Sequence, residues 1–273
     1  MKNFISLVCA INFIEENLRQ RISVADVSKA SYVSISHLQS MFSRTFHLSI
    51  GEYIAKRNLC LAAHDLTNKE TSITDIAFDF GYKNVESFSR AFKKQFLLTP
   101  SLYRKSHAFS ELYPRLIIDE KEGFLMTQKY DLTEISEKIL NSKGTYIICT
   151  DIDHLSLINE KLGRSAGDAA IAETSARISK SIGDGMDYFR IGGDSFVILT
   201  EKDGLEVPES IAHKIISYSE NDVVWSGGSF KFSISMGIIK IPEDISNAKV
   251  AIDMSDAVML DSKKQGRNTY KTA

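Results

Sequence analysis

The sequence predicts a multidomain chain: an all-α domain with two helix-turn-helix units, followed by an α/β sandwich domain of the ferredoxin-like type. Three observations support this prediction. Residues 23–53 and 72–103 share one pattern, strands and helices alternate after about residue 145, and the charge changes sign between the two parts. Residues 1–106 hold 14 Lys and Arg against 9 Asp and Glu, a net charge of +5, while the remainder carries −7.

The bulk composition is that of a globular protein. Of its 273 residues 43% are hydrophobic and 25% are charged, and no apolar run reaches 18 residues. We therefore expect neither a signal peptide nor a membrane span, and a cytoplasmic location. Cys9, Cys60 and Cys149 lie far apart in apolar surroundings, which is typical of reduced core cysteines.

The first part of the chain repeats itself with an offset of 49 or 50 residues. Ser23 matches Ser72, and Phe42 matches Phe92. Each unit predicts a short helix capped by a serine, a turn, and a longer helix with apolar residues at helical spacing. Residues 50–66 predict one long helix between the units. We expect three aromatic residues of the second unit in the core: Phe78, Phe80 and Tyr82.

These residues carry a family resemblance. The second unit contains IAFDFGY, then FSRAFKKQF, TP and YR, and with the first unit it resembles the AraC/XylS-type DNA-binding domain over about residues 4–106. The departures are small: His47-Leu48 and Leu97-Leu98 replace the usual glycine position, and Ile50 replaces a proline. They affect helix ends. The resemblance implies sequence-specific binding of double-stranded promoter DNA.

In that family the second helix of each unit enters the major groove. By resemblance, the exposed residues of the two reading helices are Ser36, Gln39 and Ser40 in the first and Val85, Glu86, Ser87 and Arg90 in the second. Gln can pair with adenine and Arg with guanine, which gives an independent physical reason for this assignment. Four cations are better placed for phosphates: Arg44, Lys93, Lys94 and Arg104. RNA polymerase is a candidate further partner, and we expect a homodimer.

The later part predicts a different architecture. A buried strand at 145–152 precedes a helix through GDAAIAETSARISKSI, a hairpin around RIGGDSF, a helix near 207–219, a strand in FKFSISMGIIKI, a helix over 247–266 and a last short strand. This order predicts an α/β or ferredoxin-like sandwich. The expected domains are 1–106 and 141–273, with 107–140 as a charged connector.

Carboxylates follow the strands of this second domain. Asp151 and Asp153 close the first strand, and Asp194 lies at the tip of the hairpin. Adjacent central strands would bring Asp151 and Asp194 together, and Mg²⁺ prefers such oxygen ligands. The alternative is that these acids are solvated turn residues.

Four ordered blocks then indicate a second family. DIDHLSLINEKLGRSAGD, RIGGDSF, SISMG and SDAVMLDSKKQGRN resemble the GGDEF, or diguanylate cyclase, family over about residues 144–270. The resemblance implies a nucleotide-cyclase type of fold and a site for GTP with Mg²⁺. By resemblance, the metal ligands are Asp151, the Ile152 carbonyl and Asp194; Asn159 and Asp168 contact the guanine edge; and Lys263 and Arg267 contact phosphates.

The departures from this second family affect the chemistry. Ser195 stands at the signature position that is normally Glu, so it supplies no negative charge. Ser156 replaces a common phosphate-contacting Lys, and Arg164 replaces His. The inhibitory product site, an RxxD, is missing, because Gly183 and Met186 stand there. Loss of a carboxylate from such a site typically costs orders of magnitude in rate, so we assign no catalytic residue and predict a non-enzyme.

The sequence therefore favours a transcription regulator whose second domain is catalytically impaired and acts as a guanine-nucleotide sensor or a dimerisation module. One alternative is an active diguanylate cyclase tethered to a DNA-binding domain. Another is a purely structural second domain with an empty pocket.

Overall fold

The computed structural model describes residues 2–105, 110–121 and 125–273. The chain divides into two compact units. The N-terminal unit extends to Gln95 and includes Thr99–Ser101 and Tyr113–Asp131; the C-terminal unit holds Phe96–Leu98, Leu102–Leu112 and Leu132–Ala273. The segment 107–140, predicted as a connector, contributes residues to both units, and 107–109 and 122–124 lie outside the described residues. None of the described helices is both long and apolar enough to cross a membrane.

The helical part contains two helix-turn-helix units, as predicted. Its helices are α1 (Lys2–Asn17), α2 (Val24–Ala30), α3 (Ile35–Phe46), α4 (Ile50–Asn68), α5 (Ile73–Asp79), α6 (Val85–Phe96) and α7 (Pro100–Lys105). Serines cap α2, α3, α4 and α5 because their hydroxyl oxygens accept hydrogen bonds from otherwise unpaired backbone N–H groups. Ser23 and Ser72 cap α2 and α5, which confirms the predicted caps.

The departures from the glycine pattern lie at helix ends. His47 and Leu97, which follow α3 and α6, have left-handed φ angles of 58° and 57°. A non-glycine residue in this region costs about 1 kcal/mol or more. The chain therefore keeps the turn that glycine would favour and accepts some backbone strain at both positions.

The first core lies between α1, α2, α3 and the start of α4. Leu7, Ile14, Leu38 and Phe42 are fully buried in it, and Leu116 joins the same cluster. Leu116 begins β2 (Leu116–Lys121), which pairs antiparallel with β3 (Leu125–Tyr130). Part of the predicted connector is thus a hairpin that packs within the N-terminal unit.

Phe78 is a correction to the predicted core. Its side chain is 49% exposed, whereas Phe80 is 7% exposed and Tyr82 is partly buried. The buried face of α5 is formed by Ile76, Ala77 and the following Phe80, so Phe78 points away from it. In a helix of only seven residues, aromatic character alone could not predict which positions are buried and which are exposed.

A six-stranded mixed sheet forms the C-terminal unit. Its order is β1-β5-β6-β4-β9-β10. The strands are β1 (Ser110–Glu111), β4 (Tyr146–Ile152), β5 (Asp187–Arg190), β6 (Ser195–Leu199), β9 (Ile234–Lys240) and β10 (Tyr270–Thr272); a separate hairpin pairs β7 (Val223–Trp225) with β8 (Gly228–Phe230). The central order β5-β6-β4-β9 is antiparallel and matches the ferredoxin-like arrangement, which confirms the predicted fold class.

Helices cover this sheet. They are α8 (Thr133–Asn141), α9 (Leu155–Leu162), α10 (Arg164–Ser181), α11 (Glu206–Ser217) and α12 (Ala248–Lys264). Ile147 and Cys149 of β4 join a core with Ile139 of α8 and Ile252 of α12. The sequence predicted α10, α11 and α12, but it missed α9 and the β7–β8 hairpin.

Gly237 permits α12 to lie against β9. A Cβ atom at this position would come within 2.3 Å of the Ser255 carbonyl oxygen and 2.4 Å of the Met259 nitrogen. Both are backbone atoms of a packed helix, so they cannot yield as a flexible side chain would. Close approach of two backbones is the physical reason for a glycine here.

Gly237→Ala is therefore expected to lower the free energy of unfolding of the C-terminal unit by about 1–3 kcal/mol or more, the range for overpacked cores. Chemical denaturation followed by circular dichroism measures this change. Gly51→Ala is the control, because nothing lies within 4 Å of a Cβ atom there. It should be neutral or slightly stabilising, and equal effects of the two changes would contradict this packing argument.

Candidate functional site

The first group of predicted site residues lies on α3 and α6. Ser36, Gln39, Ser40 and Arg44 are exposed on α3, and on α6 Glu86, Arg90, Lys93 and Lys94 are exposed while Val85 and Ser87 are partly buried. The opposite faces are buried, with Leu38 and Phe42 on α3 and Phe88 and Phe92 on α6. Each helix thus presents one polar face, as the sequence predicted. Arg104, on α7, is partly buried.

The starts of both helices are fixed by hydrogen bonds. The Ser34 hydroxyl caps α3 by accepting from the His37 N–H. At α6 the Asn84 side chain accepts from the Ser87 N–H at 2.8 Å, and the Ser87 hydroxyl donates to the Asn84 carbonyl at 2.9 Å. The Ser87 hydroxyl is therefore engaged within the helix start, which the sequence argument had not anticipated.

A buried ion pair ties α4 to α1. The Arg57 guanidinium donates from Nε and a terminal nitrogen to the two Glu15 carboxylate oxygens, at 2.9 and 2.8 Å. Their side chains are only 6% and 8% exposed. Tyr53 donates to the same carboxylate at 2.6 Å. Although burial opposes the charge, the hydrogen bonds and charge of Glu15 raise the pKa of Arg57, so the guanidinium stays charged.

The second group surrounds the ends of β4 and β6. Asp151 lies directly opposite Ser195 in the antiparallel register. The Ser195 hydroxyl donates to Asp151 Oδ2 at 3.0 Å, and Lys263 Nζ lies 2.5 Å from Asp151 Oδ1. Both oxygens of the predicted metal ligand thus have partners, one of which is a residue predicted to contact phosphate.

Asp194 and Ile152 join this cluster. The Ile152 N–H donates to the Asp194 carbonyl at 3.1 Å, so the three predicted metal ligands lie together. Burial, and then the charge of Asp194, raise the pKa of Asp151, while Lys263 and Ser195 oppose that rise. Burial and the charge of Asp151 also raise the pKa of Asp256, on α12. The cluster therefore concentrates negative charge, and a bound cation would relieve it.

The donor set fits Mg²⁺. Two carboxylates and a backbone carbonyl are hard oxygen ligands, the kind that Mg²⁺ takes when nucleotide phosphates complete its coordination. Among the described residues, no group of three His, Cys, Asp or Glu side chains is placed to hold a metal by itself. Beside Asp151, Ser195 provides a neutral hydroxyl and no third carboxylate.

The predicted guanine contacts lie where α9 meets α10. A Cβ atom at Gly167 would come within 2.0 Å of Asn159 Oδ1, so the amide of Asn159 rests directly on this glycine. Asp168 is the next residue and is exposed on α10. An amide and a carboxylate are side chains that can pair with the mixed donor and acceptor edge of guanine.

The two predicted phosphate contacts, Lys263 and Arg267, face different carboxylates. Lys263 faces Asp151, but Arg267 Nε lies 3.9 Å from Asp153 Oδ1. Asp153 is buried, and the sequence placed it at a strand end without a role. Its position two residues after Asp151 was the available signal.

Arg190 is a second residue that the sequence argument missed. Its guanidinium is buried and donates to the Gly192 carbonyl at 3.0 Å, to the Gly193 carbonyl at 2.6 Å and to the Leu112 carbonyl at 3.3 Å. Arg190 thus fixes the backbone of the glycine turn that carries Asp194. The sequence signal for this role was the position of Arg190 at the start of RIGGDSF, directly before the glycine turn.

Comparison with known proteins identifies a family for each part of the chain. The family described as "Helix-turn-helix domain" matches residues 27–106, and the family "Diguanylate cyclase, GGDEF domain" matches residues 127–269, more than half of the chain. Regulatory protein SoxS of Salmonella typhimurium is 44% identical over 94 residues, which are 34% of this chain and 88% of SoxS. The chain belongs to the GGDEF family and carries an AraC-type helix-turn-helix domain.

Two further similarities concern the GGDEF domain. Diguanylate cyclase A of Treponema denticola is 29% identical over 146 residues. The match covers 53% of this chain but only 38% of that protein. The solved GGDEF domain of TpbB from Pseudomonas aeruginosa is 24% identical with a TM-score of 0.47, and the match covers 51% of this chain and 85% of that structure. The two family matches and the similarity to SoxS show an AraC-type DNA-binding regulator fused to a GGDEF domain.

Proposed function

We propose that the GGDEF domain binds GTP with Mg²⁺ without converting it to cyclic di-GMP, and that it regulates the DNA-binding domain. One observation carries this proposal: Ser195 occupies the position opposite Asp151 with a neutral hydroxyl, while Asn159, Asp168, Lys263 and Arg267 are present for the base and the phosphates. Charge stabilisation in the transition state is the usual source of catalysis at such sites. Binding of GTP in its ground state needs fewer charged groups than stabilisation of the transition state does.

For the DNA-binding domain, we propose that α3 and α6 read two major-groove segments. Gln39 and Arg90 contact bases, and Arg44, Lys93, Lys94 and Arg104 contact phosphates, with Ser36, Ser40, Val85, Glu86 and Ser87 at the same surface. This function places the chain in the cytoplasm with its promoter DNA. Homodimerisation and contact with RNA polymerase remain predictions.

For the nucleotide site, we propose that each group acts by its own chemistry. Asp151, the Ile152 carbonyl and Asp194 would hold Mg²⁺, which would neutralise phosphate charge. Asn159 and Asp168 would pair with guanine, and Lys263 and Arg267 would contact phosphates. Lys263 must then exchange its bond to Asp151 for phosphate oxygens, so Mg²⁺ and GTP are expected to bind cooperatively.

Gly167→Ala tests the guanine contacts. The three atoms nearest to the added Cβ all belong to the end of the Asn159 side chain, so the amide is displaced while the helix can stay in place. We expect GTP affinity to fall about tenfold, the effect of losing one good hydrogen bond, with little change in melting temperature.

Calorimetric titration of the wild-type chain and of Gly167→Ala with GTP and Mg²⁺ measures this loss of GTP affinity. Asn159→Ala is the matched control. Gly167→Ala should add nothing further in the Asn159→Ala background. Unchanged GTP affinity in both single variants would contradict the proposed guanine contacts.

An active diguanylate cyclase is the second candidate function. The observation that favours it is that Asp151, Asp194 and Lys263 still lie together at the end of β4. Formation of cyclic di-GMP by the purified protein, abolished by Asp194→Ala, would establish it.

A further inference from the structure

The turn after α12 carries unusual backbone strain. Gly266, Arg267 and Asn268 have successive positive φ angles of 120°, 62° and 49°. Two of these residues are not glycine, and such conformations persist only where surrounding contacts impose them. The contacts that impose this turn therefore also determine where Arg267 points.

Asp153 supplies the central contact. The Asn268 N–H donates to Asp153 Oδ2 at 3.2 Å, and Arg267 Nε lies 3.9 Å from Oδ1. Asp153 is itself held by the Ser233 hydroxyl at 2.6 Å and the Ser235 hydroxyl at 2.8 Å. Both carboxylate oxygens are thus used, each by one serine and one residue of the turn.

Burial makes this arrangement rigid. The Asp153 side chain is 1% exposed, so its charge needs all of these partners, whereas the Arg267 side chain is 43% exposed. One edge of the guanidinium faces Asp153, and the exposed part is available to an anion. An arginine that is oriented in advance binds phosphate oxygens with a smaller loss of side-chain freedom.

We propose that Asp153 is a positioning residue that holds the 266–268 turn and aims Arg267 at the phosphates of the bound nucleotide. This inference rests on the proposed GTP binding and adds a residue to it. Asp153 touches neither metal nor nucleotide in this account. It acts only through Arg267 and the turn.

A double-mutant cycle tests the proposal. GTP with Mg²⁺, and guanosine as the phosphate-free probe, are titrated into the full chain and into Asp153→Asn, Arg267→Ala and the double variant. We expect each single variant to bind GTP about tenfold more weakly, with guanosine affinity unchanged, because a charge-assisted contact to phosphate is lost. The double variant should be no weaker than Arg267→Ala alone.

The other possible outcomes contradict either the positioning role or the proposed GTP binding. Losses that add in the double variant, or a loss of guanosine affinity equal to that of GTP, would overturn the positioning role while leaving GTP binding intact. If the wild-type chain binds no GTP, the proposed function fails and this inference fails with it.

Should Asp153→Asn not fold, Arg267→Lys provides the second test. Lysine keeps the charge but lacks the Nε–H that faces Asp153. We expect it to bind GTP almost as weakly as Arg267→Ala does. Wild-type affinity for GTP in Arg267→Lys would contradict the proposal.

Discussion

Arg90→Ala is expected to weaken binding to a mapped promoter site by about 1–3 kcal/mol, the usual discrimination of a bidentate base contact. Arg90 is exposed on α6, and its side chain makes no hydrogen bond or ion pair within the described part of the chain, so it is available to a guanine. Gln39→Ala on α3 should have a similar effect. Because the two residues lie in separate helix-turn-helix units, the combined loss should be roughly additive, at least about thirtyfold.

Lys93→Ala is the matched control on the same helix. A phosphate contact positions the protein without reading sequence, so this variant should weaken binding to specific and unrelated DNA alike and reduce the salt dependence by about one counterion. Electrophoretic or fluorescence titration at several fixed salt concentrations measures all three variants. If Arg90→Ala and Gln39→Ala leave promoter affinity unchanged, the assignment of the reading helices is wrong.

Arg57→Met is expected to cause the largest loss of stability. It leaves the buried Glu15 carboxylate without its bidentate partner, and removal of one member of a buried ion pair typically costs about 3–5 kcal/mol. The Tyr113 carbonyl, which accepts from Arg57 at 2.8 Å, also loses its donor. The N-terminal unit should therefore unfold at a lower temperature, and promoter binding should be lost with it.

Differential scanning calorimetry of the full chain measures this effect, with the two units read as separate transitions where they separate. Lys249→Ala removes the exposed Lys249–Asp253 pair and should cost less than about 1 kcal/mol. Adding Glu15→Leu to Arg57→Met removes the uncompensated charge and should recover part of the stability. A loss from Arg57→Met no larger than that from Lys249→Ala would contradict the role of this pair.

The sequence predicted the fold well where periodicity and capping act locally. Ser23 and Ser72 cap their helices as expected, and β4, β6 and β9 lie where buried apolar runs placed them. Local sequence patterns did not predict the burial of side chains where tertiary packing determines it. Phe78 is exposed because the neighbouring Ile76 and Ala77 form the buried face of α5.

The candidate site was predictable in its residues but not in its connections. The register that sets Asp151 opposite Ser195, and the approach of Lys263 from α12, depend on how distant segments pack. The role of Asp153 was missed for the same reason, because it binds hydroxyl and backbone groups from parts of the chain distant in sequence. Arg190 also binds the distant Leu112 carbonyl, although its bonds to Gly192 and Gly193 are local.

The measurement that tests the central claim most directly is calorimetric titration of the purified full chain with GTP and Mg²⁺, followed by chromatography of the same sample for cyclic di-GMP. The account predicts saturable binding of GTP and no cyclic di-GMP, because Ser195 leaves the site without its third charge. Formation of cyclic di-GMP would contradict the proposed loss of catalysis, and absence of GTP binding would contradict the proposed sensor.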